Sequence, residues 1–136
     1  MRKIAVALLI AIPAVAHAEN VYVFGADLAT GEVRCTGTTV HLSREAYVLY
    51  AKTQCPLPLA DKKNLRRYEL KSPDHHIVGC WGALLGERVI FIDPLGNQSI
   101  QPSSMFAEAK IVGNGVAEII RPVAETAALP GQKKCR

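Results

Sequence analysis

The stretch that decides the fold is residues 68–101, YELKSPDHHIVGCWGALLGERVIFIDPLGNQSIQ, from Tyr68 to Gln101. Three β-prone runs, 68–71, 77–81 and 88–92, are separated by turn chemistry. The first break is Ser72-Pro73-Asp74. The second is Gly82-Ala83-Leu84-Leu85-Gly86, whose terminal glycines suit backbone positions of positive φ. Asp93-Pro94-Leu95-Gly96 then has the residue preferences of a type I turn, and 97–101 should pair back as a fourth strand. Turns this short leave no room for a crossover helix, so the pattern predicts an antiparallel meander over 68–101. Val89-Ile90-Phe91-Ile92 is apolar on both faces, which predicts a central strand covered on both sides.

Working outward, 21–24, 33–42 and 46–51 are also strand candidates, rich in β-branched and aromatic residues. Residues 43–52 also fit a helix opened by Ser43, with Glu45 near its start; Pro56 and Pro58 end either element. Residues 61–67 are polar and read as a solvated loop or a single helical turn. Residues 102–108 fit one short helical turn with a serine cap, Met105 and Phe106 folding onto the sheet. Gly113-Asn114-Gly115 predicts a last hairpin between 110–112 and 116–120. The tail, 124–136, is weakly patterned. No repeat, low-complexity tract or Pro/Gly/Ser linker divides the chain. The expected architecture is one small, mostly β domain over 19–136, an antiparallel meander stabilised by disulfides, with at most one or two short helices.

The beginning of the chain reads as an address. Met1-Arg2-Lys3 is positive, 4–12 is an unbroken apolar run, and Ala16-His17-Ala18 places small residues at the third and first positions before a cut. This is the pattern of a secretory signal peptide cleaved near Ala18. The apolar run is well short of the ~20 residues that span a bilayer as a helix, so no transmembrane segment is expected in the mature chain. Removing 18 of 136 residues leaves 118, and with Arg2 and Lys3 gone the formal net charge falls from +4 to about +2. A chain of this size buries its own core, and so small a charge provides no basic stripe for nucleic acid. The implied location is periplasmic or secreted.

All four cysteines, Cys35, Cys55, Cys80 and Cys135, follow that cut, and an even count in an exported chain reads as two disulfides. No Cys-x-x-Cys occurs and the nearest two are 20 apart, which argues against a metal or redox role. Of the three pairings, Cys55 with Cys80 is favoured, because each sits at or beyond the end of a predicted strand and the enclosed loop holds one basic segment and one strand. Cys35 would then pair with Cys135 and pin the tail.

The cysteine and Pro-Leu after the strand at 47–51, the Gly79-Cys80-Trp81 triplet, the apolar 89–92, the glycine turn and 102–106 form a combination spanning about 46–106. It resembles uncharacterised small secreted proteins of Gram-negative bacteria and their phages that carry a late Gly-Cys-Trp motif. The resemblance implies the same compartment and a β-meander, and brings no activity with it.

No Gly-x-Ser-x-Gly elbow, His-Glu-x-x-His pair or phosphate-binding glycine loop is present. Asp74-His75-His76 could support metal or acid–base chemistry, yet adjacent side chains on a strand point to opposite faces, and a turn exposing them is the plainer reading. Lys62, Lys63, Arg66, Arg67 and Lys71 could meet an acidic protein, lipopolysaccharide or cell-wall phosphates, or simply keep a sheet edge soluble. Trp81 either packs over the disulfide of Cys80 or offers a ligand platform. Asn97-Gln98-Ser99 matches a glycosylation sequon, uninformative in a bacterial setting. No cofactor or metal is implied. The sequence favours an exported binding module whose partner is another envelope or secreted protein; the alternative is a small envelope hydrolase using His75 or His76 with Asp74.

Overall fold

The computed structural model describes residues 18–124 together with Cys135. Nine strands occur: β1 (Asn20–Phe24), β2 (Thr39–His41), β3 (Tyr47–Gln54), β4 (Arg66–Lys71), β5 (His76–Leu84), β6 (Arg88–Ile92), β7 (Gln98–Pro102), β8 (Phe106–Gly113) and β9 (Val116–Arg121). They form one sheet in the order β2-β9-β8-β1-β3-β4-β5-β6-β7, every neighbouring pair antiparallel. Helical structure among the described residues is two three-residue 3-10 turns, Leu42–Arg44 and Ser103–Met105. The mostly β architecture follows the sequence. Residues 1–17, which carry the expected signal peptide, and tail residues 125–134 and 136 lie outside the described residues.

The meander β4-β5-β6-β7 forms, with the turn between β6 and β7 as expected. Gly96 N–H donates to the Asp93 carbonyl at 3.0 Å, closing the Asp93-Pro94-Leu95-Gly96 turn. The β5–β6 connection is shorter than the glycines suggested. Strand β5 runs on through Gly82 to Leu84, because Gly82 pairs with Ile90 and Leu84 with Arg88, leaving Leu85-Gly86-Glu87 as the loop. Of the two glycines only Gly86 takes a positive φ (76°); the second left-handed residue is Glu87 (54°). Strand β6 is not central but next to the edge strand. Val89 and Phe91 are buried, while Ile90 and Ile92, on the other face, are half-buried.

Three other expectations are corrected. Of 33–42 only Thr39–His41 joins the sheet; Val33 makes an isolated bridge to Ala26, and the chain turns at Gly37, φ 85°. Of the two readings of the 43–52 segment the strand holds and the helix does not: after the turn at Leu42–Arg44 the apolar Tyr47–Leu49 run enters β3 between β1 and β4. The turn at 103–105 has no side-chain cap, and Met105 is exposed while Phe106 opens β8 and packs inward. The last hairpin forms as expected, with Gly115 at φ 68°.

Alternation along each strand produces two cores on opposite faces of the sheet. Val21 and Val23 of β1 join Val40, Val48, Ala107, Ala109, Ala117 and Ile119 on one face. Tyr22 turns to the other face, where Leu49, Tyr68, Val89 and Phe91 are packed with Tyr47, Trp81 and Phe106. This second face is concave. Strands β6 and β8 are five strand spacings apart, about 24 Å in a flat sheet, yet the Phe91 and Phe106 rings lie 6.1 Å apart. Five aromatics, Phe24, Tyr47, Tyr68, Phe91 and Phe106, fill the resulting roll through contacts of 4.9–6.1 Å. Each well-placed pair contributes about 0.5–1.5 kcal/mol beyond its buried area.

Both disulfides are present: Cys55 to Cys80, with Cα atoms 5.0 Å apart, and Cys35 to Cys135, 5.3 Å apart. The first ties the end of β3 to the middle of β5. The second ties the C-terminal end of the chain to the segment before β2.

Candidate functional site

The concave face opens at one end of the roll into a groove of about 370 Å³. Its floor is Tyr22, Leu49, Trp81, Val89 and Phe106, contributed by five different strands that only the roll brings together. Trp81 is held in place from two sides. Its indole Nε1–H donates to the Tyr50 carbonyl at 3.0 Å, and its ring meets that of Tyr22 edge-on at 5.6 Å. A large apolar surface fixed in this way before any ligand arrives loses little freedom on binding.

The rim is polar and carries both signs of charge. Glu108 accepts a hydrogen bond from Asn20 Nδ2 at 2.7 Å and lies 3.5 Å from the exposed guanidinium of Arg121. Burial raises the pKa of the Tyr22 hydroxyl, the Glu108 charge adds to the rise and Arg121 opposes it. Across the opening, Arg88 donates from Nε to the Leu85 carbonyl at 3.3 Å and makes no ion pair among the described residues. Beside it stands Glu87, the single non-glycine residue of positive φ among those described. A left-handed backbone at a non-glycine residue costs about 1–2 kcal/mol and tends to persist where a site needs it. The lining contains neither histidine nor cysteine. An apolar floor with charged groups at the rim is suited to an amphipathic ligand.

Residues singled out in the sequence are placed elsewhere. Lys62 and Lys63 are exposed on the loop before β4, where Lys62 Nζ donates to the Leu57 carbonyl at 3.0 Å. Arg66 is turned back on that loop, donating to the carbonyls of Lys63 and Leu65. Alternation on β4 puts Arg67 and Lys71 on the face opposite Arg66. Both are paired with the buried carboxylate of Glu69, at 2.8 and 3.2 Å, and Arg67 also lies over the Tyr50 ring. The five cations thus divide between a loop and an ion-pair cluster. Burial pushes the Glu69 carboxyl up, but hydrogen bonds from Arg67 and Lys71 together outweigh it and hold the group below its ordinary range.

Asp74 and His75 lie exposed on the tight turn closed by reciprocal Ser72–His75 backbone bonds. His76 starts β5 with its Nε2 3.4 Å from Glu69, whose oxygens are already shared with Arg67 and Lys71. Neither the groove nor the polar cleft beside β2 is lined by Asp74, His75 or His76. No cluster of three or more metal-ligating side chains occurs among the described residues. Trp81 does not pack over its neighbour's disulfide: successive residues of β5 face opposite ways, Cys80 away from the roll and Trp81 into it. Asn97 of the sequon supports its own turn, donating from Nδ2 to Asp93 at 2.8 Å.

A second, polar cleft of about 330 Å³ lies beside β2. At its base Arg34 is paired with Glu45, both more than nine-tenths buried, and Asp27 is 3.7 Å from the same guanidinium. The pair joins the irregular segment before β2 to the entry of β3. Sequence reasoning found neither this pair nor the groove, since no local spacing links residues so far apart in the chain. Comparison with known proteins returns no matching family model, no matching curated protein and no matching solved structure.

Proposed function

We propose that this protein is an exported binding module acting in the periplasm or outside the cell, and that the groove on the concave face is its contact surface. The observation that carries the reading is the floor of Tyr22, Leu49, Trp81 and Phe106, an apolar surface held rigid by the roll and rimmed by Arg88, Glu87, Glu108 and Arg121. The ligand it suits is an amphipathic segment of an envelope or secreted protein, apolar residues against the floor and charged ones at the rim. Export is supported by the signal-like start of the sequence and by two disulfides, which persist in oxidising compartments.

The test is capture from envelope extract with the oxidised protein recovered from the periplasm as bait. Ala83→Arg places a long side chain into the groove from an exposed position, leaving the core intact. A partner held by the wild type, lost with Ala83→Arg and retained after Lys62, Lys63, Arg66 and Arg67 are all changed to Ser supports the groove. The reverse pattern moves the surface to the basic loop. Recovery of nothing specific at low and high salt counts against a binding module, and protein retained in the cytoplasm with free thiols counts against export.

A further inference from the structure

We infer that the open edge at β7 is a pairing surface for a second copy of the same chain, an inference independent of the groove. The sheet has two edges among the described residues, and they differ. Strand β2 is three residues long and runs straight into a 3-10 turn. Strand β7, Gln-Ser-Ile-Gln-Pro, is five residues long, carries no charge and is exposed at every position except the half-buried Gln101. Charged side chains on an edge are a usual defence against pairing with another chain, and β7 has none.

The register fixes which backbone groups are open. Asp93 N–H donates to the Asn97 carbonyl and Ser103 N–H to the Glu87 carbonyl, at 3.0 and 2.9 Å. Residues 97, 99, 101 and 103 are therefore bonded inward to β6, and the N–H and C=O groups of Gln98 and Ile100, with the C=O of Pro102, point outward. This edge is self-complementary. A two-fold axis at Ile100 sets Ile100 opposite Ile100 of the second copy, forming two N–H···O bonds. It also sets each Gln98 N–H opposite a Pro102 carbonyl, forming two more. The N–H that proline lacks costs only one bond at each end. Exposed Ile100 itself supplies the apolar contact at the axis. Ile90, cross-strand neighbour of Ile100, extends the apolar strip on the same face.

The contact is a short edge pairing, so the dimer forms with rising concentration rather than being permanent. Sedimentation of the periplasmic, oxidised protein from about 1 µM to about 1 mM should show a monomer–dimer equilibrium. Over that series hydrogen exchange should slow at the Gln98 and Ile100 amides alone, those of Ser99 and Gln101 being protected throughout. Ile100→Lys sets like charges against each other and should weaken association at least about tenfold without lowering the melting temperature. A protein monomeric throughout, with Gln98 and Ile100 exchanging freely at every concentration, overturns the inference. So does a dimer that Ile100→Lys leaves intact, or an edge protected only when an unrelated extended peptide is added.

Discussion

Gly79→Ala tests the packing of the roll at its tightest point. Gly79 lies on β5 opposite Tyr68 of β4, facing the concave side. A Cβ built there falls deep inside the contact distance of the Ile92 carbonyl oxygen and 2.6 Å from Tyr68 Cε1. The carbonyl belongs to the β5–β6 ladder and cannot retreat without opening it; the Tyr68 ring is packed edge-on against Phe91 at 5.0 Å. Overpacking of this kind costs about 1–3 kcal/mol, and more where backbone must move. Replacing glycine by alanine also stiffens the unfolded chain, which offsets only about 0.4–1 kcal/mol. The expected net loss is about 2–3 kcal/mol, a large share of a small domain's stability, or a melting temperature lower by about 8–12 °C. Gly82→Ala, three residues along the same strand, is the control. Its Cβ meets the mobile end of Leu65 at 2.8 Å, with no other heavy atom nearer than 3.9 Å, so Leu65 can swing aside and the change should stay within about 1 kcal/mol. Urea unfolding of both variants, with disulfides confirmed intact, measures the difference. Equal midpoints for the two would refute the account of β5 as a strand buried on one face and open to adjustment on the other.

Glu87→Gly should raise stability by about 0.5–1 kcal/mol, since it removes left-handed strain at the cost of some unfolded-state entropy; a lower melting temperature would contradict that geometry. Changing Cys55 and Cys80 together to Ala removes a cross-link over a sequence separation of 25 and should cost about 3.5 kcal/mol in the loop-entropy relation, read as a lower denaturation midpoint with a steeper slope, because the unlinked chain unfolds to a more expanded state; peptide mapping of the unreduced parent should recover the Cys55–Cys80 and Cys35–Cys135 links. The pKa of Glu69 is lowered in the fold, so its contribution is present above the unfolded value and lost as pH falls below about 4.3 and through the folded value; Glu69→Gln should flatten this acid limb of the melting-temperature profile. The tyrosines act in the opposite sense. Burial raises Tyr22, Tyr50 and Tyr68, so the stability from their neutral forms is present below about pH 10 and lost above it.

The sequence by itself determined what depends on near neighbours. Period-two runs between Pro/Gly turns specify β4 to β7 and the last hairpin, because a short turn leaves an adjacent antiparallel strand as the simplest partner. The Cys55–Cys80 bridge was legible for the same reason: the two cysteines lie in segments brought together by β3-β4-β5 pairing, although Cys80 stands in the middle of β5 and not at the end expected for it. The tertiary structure alone decided how distant strands meet. That β1 inserts between β8 and β3 is a choice among edges that many strands could satisfy, since backbone hydrogen bonds are the same for any partner. The curvature that brings Phe106 of β8 against Phe91 of β6 is a collective result of strand twist and aromatic packing, with no residue pattern of its own. The groove follows from that curvature, which is why Tyr22, Trp81, Arg88 and Glu108 carry no shared sequence signal. Even Trp81, conspicuous as the one tryptophan, was set beside its disulfide by proximity in sequence. The two-residue period of β5 sends it to the opposite face, where only the rolled sheet provides Tyr22 to meet it.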